Sequence, residues 1–499
     1  PLPQPLHPRP FSFTGLLAPN PLCYAMRMSH RRGVSRTLIG ELVALLIAAP
    51  PIFFANWFPG WAPYLGLALL AGSWLWRRVR MGRWWVSTPA DWPLWFLFGV
   101  MLPVSVLVAP DPLREQYSLS RALIMVWNFS LFSTVAVHAS TRRSSFRLLT
   151  YGMLIAGAAI TLLAPLGINW VSKFPALAPI LGRIPAVFQG VFAGAESGFS
   201  PNQVAGALLY VLPLTIAFTL YASAEQRFRR ASWWIVGGLA LLMTGVLVLT
   251  QSRGGLLGFG VALLAMLLLP LRWGRWLLMG GTALIVLAAP FWFDPALALM
   301  GGVEVAGGDI DVNTLASRQE IWTRALYGIQ DFSFTGMGLG TFRAVMPLLY
   351  PMFTVAPDVD LAHAHNFFLQ TALDFGVPGL VALLAMYLVA VVQIVALWRM
   401  PAHDTRSLPL RAPWRTWAIG IAGALIAQIV YSQFDAVAMG ARPNFLHWYL
   451  FSMTYAVANL AERYAQGSFE RRRVQRGERT VSSTPGSTAA EPVRPPLMQ

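Results

Sequence analysis

The sequence predicts an all-α polytopic integral membrane protein of about twelve transmembrane helices, on three observations. The 499 residues are 56% hydrophobic and only 12% charged, with a mean hydropathy of +0.55; soluble domains carry about 25% charged residues. Apolar runs near the roughly 20 residues that a helix needs to span a bilayer recur along the chain. Basic residues concentrate in alternate connections between those runs, the bias that marks the cytoplasmic side.

The elements follow in order. The stretch "PLPQPLHPRPFSFTGLLAPNPLCYA" before Met26 and Met28 is Pro-rich, and we expect the natural start at one of those methionines, with residues 1–25 outside the fold. No cleavable signal is evident, and the first apolar run reads as a retained signal anchor. The runs are Ile39–Phe58, Trp61–Trp76, Trp92–Val108, Ser118–Val137, Leu148–Leu166 and Asn202–Tyr221, then Trp233–Leu249, Gly254–Leu271, Trp276–Phe293, Asn366–Trp398, Thr416–Phe434 and Asn444–Leu460. This divides the chain into a cytoplasmic segment 1–37, helices one to nine in 38–293, and a long extracytoplasmic loop 294–365. Helices ten to twelve in 366–461 and a basic, disordered cytoplasmic tail 462–499 complete it.

With both termini cytoplasmic, the inner segments hold 28 of the 37 basic residues and the outer segments 9. The net charge of +16 is therefore topological, which removes nucleic acid as a partner and leaves the "ERRRVQRGER" run beside lipid headgroups. A lone cysteine, Cys23, excludes disulfides, a thiolate zinc site and thiol catalysis.

Unusual chemistry gathers on the outer side. In "TQSRGGLLG", Ser252 can cap a helix whose first residues are Arg253 and two glycines. A helix N-terminus beside a guanidinium suits an anion, although a tight turn with a snorkelling arginine would look the same. In the long loop, "SRQEIWTRALYGIQDF" spaces Ile321, Trp322, Leu326 and Ile329 as an amphipathic helix at the outer surface. Glu320 and Arg324 pair at i, i+4, leaving Arg318 for another role. "GMGLGTF" reads as a hinge. "HAHNFFLQTALDFG" brings His363 and His365 to a membrane span whose Asn366, Gln370 and Asp374 share one face. Polar groups at that depth face a bundle interior or a wet cavity, and a neutral imidazole can take a proton near neutral pH. Metal binding is not expected, because His363 and His365 lack a third ligand at convincing spacing. In "FSPNQVAG", Ser200 and Pro201 start a helix and Asn202 faces the outer cavity or a neighbouring helix. No Ser-His-Asp set, P-loop or intramembrane acid–histidine relay is legible.

Taken in order, "FSPNQVAG", "TQSRGGLLG", "SRQEIW…GMGLGTF" and "HAHNFFLQTALDFGVPGL" resemble the O-antigen ligase/polymerase family of membrane glycosyltransferases, across about Phe199–Leu380. The resemblance implies transfer of a glycan from an undecaprenyl-diphosphate type carrier to a glycan, lipid or protein acceptor, at the outer face of the cytoplasmic membrane in cell-surface polysaccharide assembly. It implies no cofactor and no metal. It also implies catalytic roles for Arg253, Arg318 and His365, and we expect Ser252, Asn202, His363, Asn366 and Gln370 as substrate-binding neighbours. Asp374 stands where members often carry Glu, which puts its role in doubt. Ligases, polymerases and inorganic-carbon transport proteins share these motifs, so a transporter of bicarbonate or a lipid-linked sugar is the alternative.

Overall fold

The computed structural model describes residues 34–168, 170, 174, 176, 178–181, 199–221, 231–281, 315–353, 355, 361–400 and 412–475. The expectations for residues 1–33, for the ninth run beyond residue 281, for most of the long loop before residue 315 and for the tail beyond 475 lie outside them.

Among the described residues every regular element is a helix. They run α1 (Arg36–Phe53), α2 (Ala62–Met81), α3 (Asp91–Leu107), α4 (Asp111–Ala139), α5 (Arg143–Gly167), α6 (Pro201–Tyr221), α7 (Ala231–Leu249) and α8 (Arg253–Leu268). After these come α9 (Leu315–Asp331), α10 (Phe342–Leu349), α11 (Phe367–Arg399), α12 (Trp414–Tyr431) and α13 (Phe445–Gln475). Eleven of the twelve apolar runs lie on these helices, but six helices (α1, α4, α5, α6, α7 and α11) are long and apolar enough to cross a membrane. The chain is a multi-pass membrane protein.

Burial separates the helices into a centre and a rim. Helices α4 and α6 are buried along most of their length. Helix α12 packs against α6, α8 and α11, and α13 packs against α4 and α11. On α12 and α13, Trp417, Trp448 and Tyr455 are fully buried. The rim turns large apolar side chains outward, Leu46 and Ile47 on α1, Leu241 on α7 and Leu388 on α11, each at least 60% exposed. Contiguous exposed apolar surface of this kind suits hydrocarbon, not water. Helices α8 and α12 approach closely because Gly258 has no side chain; a Cβ there would sit 2.6 Å from the Ala427 carbonyl oxygen.

Two helices extend beyond the apolar runs, and the extensions carry charge inward. Helix α2 continues past Trp76 to Met81, and α4 past Val137 to Ala139. Arg77 and His138 are thereby buried with Glu41 of α1. Arg77 Nε donates to both Glu41 oxygens at 3.0 Å, and its Nη1 donates to the Trp84 carbonyl at 3.0 Å and to Ser133. His138 Nε2 meets Glu41 Oε1 at 2.9 Å. The sequence reading saw no buried acid–histidine pairing, and the structure contains this one.

Helix α11 is broken at Gly376, whose φ of 70° and ψ of 175° interrupt the helical backbone. The gap is filled by the turn after α9. Val377 N–H donates to the Ser333 carbonyl and Met337 N–H to the Leu373 carbonyl, both at 2.7 Å. Gly336, Gly338 and Gly340 all have positive φ. A Cβ on Gly336 would meet the Leu373 carbonyl oxygen at 2.6 Å. The "GMGLG" segment is thus a docked turn rather than the hinge the sequence led us to expect. Around it a second, smaller apolar core forms from Ile321, Ala325, Met337, Phe342, Met346, Val355, Leu361, Ala364 and Leu373. Helix α9 packs by this face on α11, while Leu326, expected on the apolar face, is half exposed.

Candidate active site

The site is built where α11 begins beside the end of α12. Asn366 caps α11, its side-chain oxygen accepting from the N–H groups of Phe368 at 3.0 Å and Leu369 at 3.1 Å. The Phe367 N–H donates to the Ser432 carbonyl at 2.9 Å. This fixes the residues before α11 against the turn after α12, and with them a group foreseen only in part: His363, His365 and Asp435.

His365 Nδ1 lies 3.6 Å from Asp435 Oδ1, and His363 Nε2 lies 3.7 Å from the same oxygen. Both exceed an ordinary hydrogen bond, so they are charge contacts that a small approach would tighten. The rings sit 4.6 Å apart. His365 holds a positive φ of 47°, rare without glycine, so its backbone is strained to place the ring. The His365 N–H donates to His363 Nδ1 at 3.2 Å. His363 therefore carries its ring proton on Nε2, the nitrogen that faces Asp435.

Electrostatics sort the three. Burial pushes the His363 imidazole down to about 4 against the pull of Asp435, and His365, Arg121 and Arg343 add to the fall. Burial alone would raise the Asp435 carboxyl, but His365 and His363 facing it outweigh burial and hold it below the usual carboxylate range. Asp435 supplies the third metal-ligand atom that the sequence did not show, the three lying within 4.8 Å of one another. The donor set does not fit a metal well, because a cation at His363 Nε2 would have to replace the ring proton that the His365 amide fixes there.

The other expected residues divide into two groups. Arg318 lies on α9, one turn before Trp322, whose indole N–H donates to the Ala364 carbonyl at 3.1 Å. Its charge acts on the Tyr431 hydroxyl, which donates to the Asn202 carbonyl at 2.8 Å. Arg253 is the exposed first residue of α8, and the neighbouring Gly254 lies against Phe434, one residue before Asp435. Asn202 and the start of α8 thus come to the end of α12 that precedes Asp435, and the charge of Arg318 acts at the same end. Ser252 spends its hydroxyl on the cap of α8, accepting from Gly255 N–H at 3.3 Å. Gln370 faces inward: its amide oxygen accepts from Ala364 N–H and its nitrogen donates to Asp374 Oδ1, both at 2.9 Å. Glu320 and Arg324 pair as the spacing predicts, at 3.8 Å.

Sequence reasoning missed Asp435 and Arg121. The available signal for Asp435 was a single acid one residue beyond the eleventh apolar run, on the same side as His365. For Arg121 it was a cation set into the apolar "SLSRALIMV" in the first half of α4.

Residues 238–384 match the family model described as O-Antigen ligase, a match that supports the O-antigen ligase/polymerase superfamily for this segment. The matched segment contains Arg253, Arg318, His363 and His365; Arg121 and Asp435 lie outside it. No curated protein matches the chain.

Proposed function

We propose that the protein transfers a glycan from a polyprenyl-diphosphate carrier to an acceptor hydroxyl at the outer face of the cytoplasmic membrane, as a ligase or a polymerase. The observation that carries this reading is the Asp435–His365 contact. With Nδ1 turned to Asp435, His365 has Nε2 left to take the proton of an acceptor hydroxyl. The acceptor oxygen bonds to the anomeric carbon as the carbon–oxygen bond to the diphosphate breaks. The proton passes to His365, and ionised Asp435 balances the imidazolium. Arg253 and Arg318 face the negative charge that develops on the departing diphosphate.

Transfer from a polyprenyl-diphosphate glycan, with product sizing, tests this. His365→Ala and Arg318→Ala should each abolish product while the protein still inserts; normal transfer by His365→Ala removes the assignment. One addition per acceptor marks a ligase and a ladder marks a polymerase. Interrupted helices such as α11 also occur in transporters. Here the break is filled by the turn after α9 through the Ser333 and Leu373 backbone bonds. Substrate flux in proteoliposomes without acceptor would reverse the reading.

A further inference from the structure

On the α4 side of the histidine pair lies a second polar cluster that the transfer chemistry does not use. Arg121, in the first half of α4, passes between two glycines of positive φ, Gly340 at 74° and Gly440 at 73°. A Cβ on Gly340 would lie 2.7 Å from Arg121 Cδ and Nε, and one on Gly440 would lie 2.7 Å from Arg121 Cβ. Both turns are shaped to admit this side chain. Asp374 reaches the same point, with Oδ1 accepting from Gly340 N–H at 2.9 Å and from Gln370. The two charges act on each other, Arg343 acts on Arg121, and His363 feels both arginines, so the cluster adjoins the histidine site.

The cluster is incomplete in a specific way. Arg121 Nη1 is buried with no acceptor, and Asp374 Oδ2 is buried with no donor. An open group of this kind is costly in an otherwise satisfied interior. One donor and one acceptor meeting at a single glycine complement a molecule that offers an acceptor and a donor side by side. Neighbouring hydroxyls on a sugar ring do so, since each hydroxyl both gives and takes a hydrogen bond. A phosphate would satisfy Arg121 and meet repulsion from Asp374.

We propose that Arg121 and Asp374 form a sugar-ring subsite, Arg121 Nη1 donating to one ring hydroxyl and Asp374 Oδ2 accepting from its neighbour. The ring belongs to the acceptor or to the first sugar of the donor, and this part rests on the transfer reading above. The alanine between the two histidines is bonded through Gln370 to Asp374, so a ring held here is registered to His365.

Two measurements on the full-length protein in detergent test it. In the first, saturation-transfer NMR with methyl glycosides compares wild type with Arg121→Gln and Asp374→Asn. The second variant keeps the shape of the side chain and turns the open acceptor into a donor. Ring-proton signals in wild type that are lost in both variants support the subsite. No wild-type signal, or equal signals in all three, means an ordered water occupies the place and overturns it. This arm does not depend on transfer. In the second, transfer kinetics use acceptors and donors lacking single ring hydroxyls. Removing the contacted hydroxyl should raise KM roughly 10–100-fold in wild type and have little further effect in the variants. Coupling to acceptor hydroxyls assigns the acceptor, and coupling to donor hydroxyls assigns the donor. Equal penalties in wild type and variants at every hydroxyl would show the pair to be structural only.

Discussion

His363 is the residue whose environment makes the plainest prediction. Its imidazole titrates at about 4 in the folded protein against an ordinary 6.5, mainly because it is buried. The unfolded chain therefore binds this proton first. Stability is complete above pH 6.5 and falls as pH drops from 6.5 to about 4, by on the order of 3 kcal/mol. Asp435, held below its ordinary 3.8, adds a loss at still lower pH. Melting temperature against pH in detergent should show this fall, and His363→Asn should flatten it. An unchanged slope would mean that another group governs the acid limb. Asp435→Asn makes a separate prediction. It removes the charge that balances protonated His365 and should slow single-turnover transfer by ~10²–10⁴-fold with donor binding retained. His365 was legible in the sequence because an imidazole beside a polar stripe at a membrane span is rare. Asp435 was not, since nothing local ties it to a histidine 70 positions earlier.

Element boundaries were legible wherever an apolar run decided them, and least so where backbone geometry did. The break in α11 rests on Gly376, which the sequence shows only as one of many glycines. Its positive φ and the Phe334 carbonyl oxygen 2.5 Å from a would-be Cβ leave no room for a side chain. Gly376→Ala should cost at least ~1–2 kcal/mol for the left-handed backbone alone and more for the displaced turn. The same change at exposed Gly72, which a Cβ would not crowd, should be neutral or stabilising. Thermal melting of the two variants separates these outcomes; equal shifts would show that the break is not needed.

Across the whole molecule, Glu41, Arg77 and His138 join α1, α2 and α4 through a buried polar cluster set among their apolar contacts. Removing one member leaves the others buried and unpaired, so Glu41→Ala should cost roughly 3–5 kcal/mol. Replacing all three by Leu, Met and Phe should recover most of that loss in the melting temperature, and failure to recover it would point to a role beyond holding helices. The apolar runs announced these helices, but their pairing joins residues 36 and 97 positions apart, which no periodicity encodes. The second, smaller core has a different consequence. It meets α11 through the Leu373 side chain and through peptide groups at Gly336, Met337, Gly376 and Val377, so only Leu373 and the glycines constrain which side chains the segment carries at this contact. The segment from α9 to α10 can therefore diverge as an interchangeable module. A chimera that imports a relative's 315–353 with the three turn glycines and Trp322 intact would keep His365 in register, while everything that segment shows to its substrates is rewritten.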